Sequence, residues 1–369
     1  MNTGLRIAVA SCGLGHVSRG VEAWAEDLAA ALHARGENVT LFKGGGTADK
    51  AYEVVLPCWQ RDTSPVNRRW FPTRLLWRFG YGSPYAAEQA TFAKSLIRKL
   101  KQEHSDILHV QDPHVALQVQ NAGLKTKVIL AHGTEEPPVF LNQIHYLQHL
   151  APWHLEQAKA AGAFKPEWTV IPNFIDTAKF HAGSSTTQRA ELNIPADAFV
   201  VLTAAAIKRH HKRIDYLLSE VAAVPKAYLI VAGGWESETD ELMHEGVRLL
   251  GDRVRFLVRY PRKEMPELYR AANVFVLASL FEMMPIALVE ACASALPCVT
   301  HDHPVMRWMT GPGGAGIDMA KPGALAAVLQ TELKTLGPLA REHCVANFSI
   351  DVVVSCIVDY YQSVIRNPK

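Results

Sequence analysis

The sequence predicts two doubly wound α/β domains in tandem, and three observations carry that prediction. Short apolar runs alternate with stretches of helical periodicity along the whole chain. Parallel strands require this, because each crossover between them needs a dozen or more residues, usually a helix. The runs also fall into two series, separated by the polar stretch HAGSSTTQ at residues 181–188. Finally, 369 residues is more than twice the usual domain length.

In the first series, LRIAVA is a strand and CGLGHVSRG a glycine-containing turn. VEAWAEDLAAALHARG follows as an amphipathic helix stopped at Gly36, and NVTLF is the next strand. Residues 106–110 and 127–133 extend the same sheet. The second series contains five strand-like runs, FVVLTAAA, AYLIVAGG, VRFLVRY, VFVLAS and LPCVTH, separated by helical stretches at 212–224, 238–250, 265–272 and 285–294. The expected domains are 1–180 and 198–349, with a last helix at about 350–369 returning to the first. In open parallel sheets, ligands bind beyond the carboxyl ends of the strands. Two such sheets facing one another would place the chemistry on the loops of a shared cleft.

Composition narrows the class. Hydrophobic residues make up 49% and charged residues 20%, an ordinary globular balance. The net charge of +2 argues against a nucleic-acid partner. Six cysteines without a CxxC pair suit reduced thiols rather than disulfides or zinc. The first apolar run is too short for a signal peptide, and no run reaches the roughly 18 residues of a membrane span. The expected setting is cytoplasmic, with a peripheral position at the inner membrane face left open.

Two passages stand out chemically. Gly13-Leu14-Gly15 follows the first strand, but Ser18 replaces the third glycine of a dinucleotide fingerprint, and the second strand ends in Lys43 rather than an acid. A tight turn or a phosphate at the helix start remains. The second passage, SLFEMMPIALVEACASALPCVTHD, places Glu282 in a loop just past a strand. Pro285 opens the following helix, where its missing N–H costs nothing, and Glu290 lies about a turn and a half inside. Two carboxylates with seven residues between them across a helix start can bracket one ligand, a ribose at one and a sugar at the other.

This passage resembles the E-x7-E motif of the retaining, GT-B-fold nucleotide-sugar glycosyltransferases of family 4. VIPNFIDTAKF is similar to the family's IPNG linker, HKRIDYLL to its lysine-bearing helix start, and GLGHVSRGVEAWAEDLAAALHARG to its first glycine loop. The resemblance implies that Glu290 accepts hydrogen bonds from ribose hydroxyls and that Glu282 lies near the donor sugar. Lys212 would neutralise the diphosphate, and His132 would lie near donor sugar and acceptor. Gly15 would contact the diphosphate, and the backbone around Met284, Pro285 and Ile286 would reach phosphate or sugar hydroxyls. Ile207 stands near the place of the family's phosphate-binding arginine, so Lys208 or Arg209 is the expected substitute. Phe174 replaces the family glycine in the linker, and Met283, Met284 and Ile286 occupy the donor loop where the family often has small residues.

Other chemistries lack an anchor. There is no DxD, P-loop or GxSxG, and His210-His211 and His301-x-His303 have no third ligand at metal spacing, so neither a metal nor another cofactor is expected. Between Trp59 and Lys101, nine basic residues face two acids, and Arg68, Arg69, Arg74 and Arg78 interleave with Trp70, Phe71, Trp77 and Phe79. That pattern suits an anionic membrane surface or a lipid-linked acceptor. The expected activity is transfer of a sugar, a hexose by the resemblance, from a nucleotide diphosphate donor to a carbohydrate, lipid-linked or small-molecule acceptor, with retention. A nucleotide-sugar 2-epimerase of the same fold and a two-lobed solute-binding protein are the alternatives.

Overall fold

The computed structural model describes residues 3–17, 19–67 and 81–366. It divides into two compact units, one running to Pro172 and resuming at Val354, the other Asn173–Val353.

The first unit holds seven strands: β1 (Arg6–Ser11), β2 (Asn38–Lys43), β3 (Glu53–Val55), β4 (Ile107–Val110), β5 (Lys127–His132), β6 (Tyr146–His149) and β7 (Thr169–Val170). Their order is β3-β2-β1-β4-β5-β6-β7, and every neighbouring pair is parallel. All four residues of β4, and all of β1 after Arg6, are buried, as expected of a sheet covered on both faces. The helix Gly20–Ala34 buries Trp24, Ala25, Leu28, Ala29 and Leu32, a stripe at i, i+1, i+4, i+5 and i+8. The helix Pro84–Gln102 starts at Ser83, whose hydroxyl accepts from the Ala86 amide, with proline in its first turn.

The second unit holds β8 (Val200–Ala204), β9 (Tyr228–Gly233), β10 (Val254–Val258), β11 (Val274–Leu277), β12 (Cys298–His301) and β13 (Gly314–Ile317). Their order is β10-β9-β8-β11-β12-β13, again all parallel. Its core gathers Val201, Leu229, Val231, Val274, Val276 and Val299 from the strands against Leu217, Leu218 and Leu242 from the helices.

The expected doubly wound architecture is therefore present twice. Four strands were not foreseen, each for a physical reason. β3 has three residues and β7 two. β6 carries Gln148 and His149, polar residues that are fully buried, and Gln148 donates to Ile171 O at 2.9 Å. β13 reads GAGI and lacks the β-branched run that marks a strand. The unit boundary falls at 172/173, ahead of the expected 180. Phe180 packs in the second unit, its ring 5.8 Å from that of Tyr269.

The last helix, Ile350–Arg366, was foreseen, and its residues from Val354 onward group with the first unit. Tyr361 is fully buried there and donates to His109 Nδ1 at 2.7 Å, while Trp24 meets the same imidazole edge-on at 4.9 Å. Burial pushes His109 down to about 3, so the ring is neutral and accepts at Nδ1. Tyr361→Phe leaves that acceptor unmet and should lower stability by about 1–3 kcal/mol. Urea unfolding of both proteins measures it, and an unchanged midpoint would remove this bond from the account.

Candidate active site

Each sheet has a place where the chain reverses its direction of strand addition, and there the loops diverge to leave a crevice. In the second unit it lies between β8 and β11, since β9 and β10 extend one way and β12 and β13 the other. Lys212 comes from the loop after β8 and Glu282 from the loop after β11, and the two form an ion pair. Both are largely buried, the lysine side chain 17% and the glutamate 8% exposed. His211 donates from Nε2 to Phe281 O at 2.8 Å, with the same nitrogen 3.6 Å from Glu282. The turn that delivers them is strained, with His211 at φ 70° and Arg213 at φ 51°. Left-handed backbone at non-glycine residues persists where the surroundings hold it. Here Arg213 donates to Met319 O at 2.6 Å.

Lys208 lies half-buried on the same loop. Arg209 is turned toward Glu245, with 2.8 Å between them, and its amide donates to Glu238 at 3.1 Å. The loop thus brings Lys212 to Glu282, while Arg209 pairs elsewhere.

Pro285 caps the following helix from an extended conformation, so Ile286 is its first residue and the helix runs Ile286–Ala293. The expected helix start thus shifts by one, since proline's fixed φ suits the cap as well as the first turn. Glu290 is 5% exposed and accepts from the Tyr269 hydroxyl at 2.8 Å. Burial and then the Glu290 charge push Tyr269 far above its ordinary value, so it stays a donor. Met284 is buried; its carbonyl accepts from Asn173 Nδ2 at 3.1 Å, and its sulfur from the Asn173 amide at 3.1 Å.

In the first unit the reversal lies between β1 and β4. Gly15 sits past the end of β1 with φ 99°, and a Cβ there would stand 2.1 Å from Gly45 O. Glycine is therefore demanded by the packing of the β1 loop on the Gly44-Gly45-Gly46 loop that follows β2. Behind it lies a buried charged network. Asp112, past the end of β4, accepts from the Cys12 amide and the Tyr85 hydroxyl, both at 2.9 Å. Glu88 accepts from Arg61 Nε at 2.6 Å and contacts His16 Nε2 at 2.6 Å. Burial alone would raise Glu88, but the hydrogen bonds from His16 and Arg61 hold it below its ordinary value. Glu22 is 3% exposed, and burial above all pushes it up to about 6. His132 closes β5, 6% exposed, and Nδ1 of His149 lies 3.4 Å from its own.

Several of these residues gave no signal in the sequence. Tyr269, Asn173 and His149 act through side chains distant in the chain, which spacing does not report. Asp112 was accessible in principle, as an acid just past a strand before a proline. Arg68, Arg69, Arg74 and Arg78, with Trp70, Phe71, Trp77 and Phe79, lie outside the described residues. Among the described residues, no cluster of three or more His, Cys, Asp or Glu suits a metal ion. No described helix is long and apolar enough to cross a membrane.

The network makes a prediction. Because the folded state raises Glu22 from 4.5 to about 6, its stabilising contribution is complete below the lower value and is lost as pH rises through the higher. The loss amounts to about 2 kcal/mol. Urea unfolding of Glu22→Gln should show that much less decline between pH 4.5 and 7.5 than the wild type. Parallel curves would show that Glu22 ionises normally.

Comparison with known proteins adds the following. The family model described as "Glycosyltransferase Family 4" matches residues 18–179, and that of "Glycosyl transferases group 1" matches residues 184–334. The alpha-galactosylglucosyldiacylglycerol synthase of Streptococcus pneumoniae is 26% identical over 44% of this chain. The D-inositol 3-phosphate glycosyltransferase of Mycolicibacterium vanbaalenii is 28% identical over 68% of it. The matches span 45% and 61% of the length of these two relatives. A similar fold, with a TM-score of 0.75 at 17% identity over 97% of this chain and 100% of the other, is found in Anabaena HepE, solved in complex with UDP and glucose.

Proposed function

We propose that this chain, which belongs to the family 4, group 1 glycosyltransferases of GT-B fold, transfers a hexose from a nucleotide diphosphate donor to an acceptor hydroxyl with retention of configuration. The observation that carries this reading is the Lys212–Glu282 pair on the two loops that flank the reversal of the second sheet. A lysine held by one carboxylate is a cation kept in place without substrate. When a diphosphate arrives, the ammonium gains a partner whose charge grows as the sugar–phosphate bond breaks. A fixed charge at such a leaving group stabilises the transition state more than the ground state.

The other roles are those that the resemblance to the family implies. Glu290, oriented by Tyr269, accepts from the ribose hydroxyls. Glu282, released from Lys212, meets the donor sugar. Lys208 and Arg209 add positive charge on the same loop. Amides at the start of the helix Ile286–Ala293, with Met284 and Pro285 ahead of it, face phosphate or sugar oxygens. Gly15 contacts the diphosphate region, and His132 lies near donor sugar and acceptor. Leaving-group charge is carried by side chains rather than by a metal, as the lack of DxD in the sequence supports.

The relatives' names support a donor such as a UDP-sugar and an acceptor that is a carbohydrate, a lipid-linked sugar or a small polyol. The basic aromatic run at residues 68–79 supports a peripheral site on the inner face of a membrane, from the cytoplasmic side. The E-x7-E passage favours transfer over 2-epimerisation.

Incubation with a panel of nucleotide sugars tests the reading. Nucleotide diphosphate should appear only with acceptor present, and the product's anomeric NMR signal should match the donor's. Interconversion of donor sugars without transfer would establish the epimerase, and binding without turnover the solute-binding protein. Lys212→Ala should lower turnover by about two to three orders of magnitude. EDTA should leave the wild-type rate unchanged; a near-normal mutant or strong inhibition by EDTA would overturn the role of Lys212. Glu290→Ala should weaken nucleotide diphosphate binding by about 1.5–3 kcal/mol. Calorimetry showing full affinity in a folded variant would remove Glu290 from the ribose site.

A further inference from the structure

The ends of β5 and β6 bring two buried imidazoles into contact. His132 and His149 are the last residues of their strands and direct partners in the parallel register. Matched residues of neighbouring strands face the same side of the sheet. Their rings meet with Nδ1 3.4 Å from Nδ1 and planes at 78°. His149 is fully enclosed, against Trp168 at 5.6 Å between centroids, whereas His132 keeps 6% exposure at its strand end. His154, from the helix Pro152–Ala160, stands 6.3 Å from His132. Nε2 of each partner, His132 and His149, is buried and makes no hydrogen bond within the described residues.

Two facing Nδ1 atoms share one proton. Burial, then the charges of His149 and His154, push His132 down to about 3; burial, then His154, pushes His149 down to about 4. Both rings are therefore neutral at physiological pH, and a neutral imidazole carries a single N–H. A bond between the two Nδ1 atoms requires opposite tautomers. Were the shared proton on His132, His149 would carry its own on Nε2, enclosed beside Trp168 without an acceptor among the described residues. With the proton on His149 Nδ1, the N–H left over belongs to His132, which a substrate oxygen can satisfy.

We propose that His149 is a positioning residue: donating from Nδ1, it fixes His132 as the tautomer that offers Nε2–H to an oxygen of the bound substrate. This rests on the placement of His132 in the transfer site. His132 then serves as a hydrogen-bond donor and not as a base, and His149 touches no substrate.

Long-range ¹H–¹⁵N NMR of the substrate-free protein reads the proton directly. The expected spectrum has His132 protonated on Nε2 and His149 on Nδ1, with neither titrating between pH 5 and 8. His132 protonated on Nδ1, or titrating near its ordinary value, overturns the proposal. His149→Phe should lower kcat by about 10–100-fold, on the scale set by losing the outer partner of a metal-ligating histidine. It should leave the donor KM within about two-fold and let His132 sample both tautomers. His149→Asn, whose amide keeps a donor near the place of Nδ1, should restore most of kcat, and serves if the phenylalanine variant does not fold. Full activity in His149→Phe, or no rescue by a folded His149→Asn, overturns the positioning role. Full activity in His132→Ala instead removes His132 from the site, a failure the NMR experiment tells apart because it needs no turnover.

Discussion

Among the described residues, every paired strand is parallel to its neighbours, and that constraint organises the rest. A parallel sheet cannot be closed by tight hairpins, so each strand is followed by a crossover, and all the loops that leave the strands emerge at one edge. That edge collects helix starts, the glycine turn at Gly15 and several of the buried charges, among them Asp112 and Glu282. The reversals between β1 and β4 and between β8 and β11 then open the edge at one point in each sheet. Lys212 and Glu282 are distant in sequence and adjacent in space because their loops leave neighbouring strands.

The same edge raises an electrostatic problem, which the two units solve differently. In the second, opposite charges pair: Lys212 with Glu282 across the opening, and Arg209 with Glu245 on the helix that follows β9, so each cation keeps a counter-charge. In the first, three nearly or fully buried carboxylates, Glu22, Glu88 and Asp112, share Arg61, His16 and the donors of Cys12 and Tyr85. Excess negative charge is relieved there by shifted protonation, with Glu22 and Asp112 raised by burial and Glu88 lowered by its donors. The strained turn at His211 and Arg213 belongs to the same edge, a backbone cost accepted where side chains must be aimed.

Much of the architecture was legible in the sequence because hydrophobic periodicity reports what a sheet buried on both faces demands. β1, β4, β5, β8, β9 and β11 are apolar runs for that reason, and the last helix shows its own spacing. The periodicity fell silent where polar residues are buried, as in Gln148 and His149 of β6, or where a strand is short or glycine-rich. Among candidate residues, Glu282, Glu290 and Lys212 could be named because a loop after a strand, a helix start and a fixed interval are properties of one contiguous segment. Their partners could not. Tyr269 meets Glu290, Asn173 meets Met284 and His149 meets His132 only through the sheet register and the packing of helices.

The placement of the last helix has a consequence for how the molecule is made. The first unit is interrupted in sequence, since residues from Val354 onward belong to it although the whole of Asn173–Val353 comes between. During synthesis from the amino end, the first sheet emerges early, yet the side chain that seals His109, that of Tyr361, is added only after the second unit has been completed. Domains generally fold as units while the chain grows. Here the second unit has all its residues before the first does, so the order of completion on the ribosome is the reverse of the order of translation. Until the last turn and a half of that helix is released, Trp24 and His109 lack a cover that the first core needs.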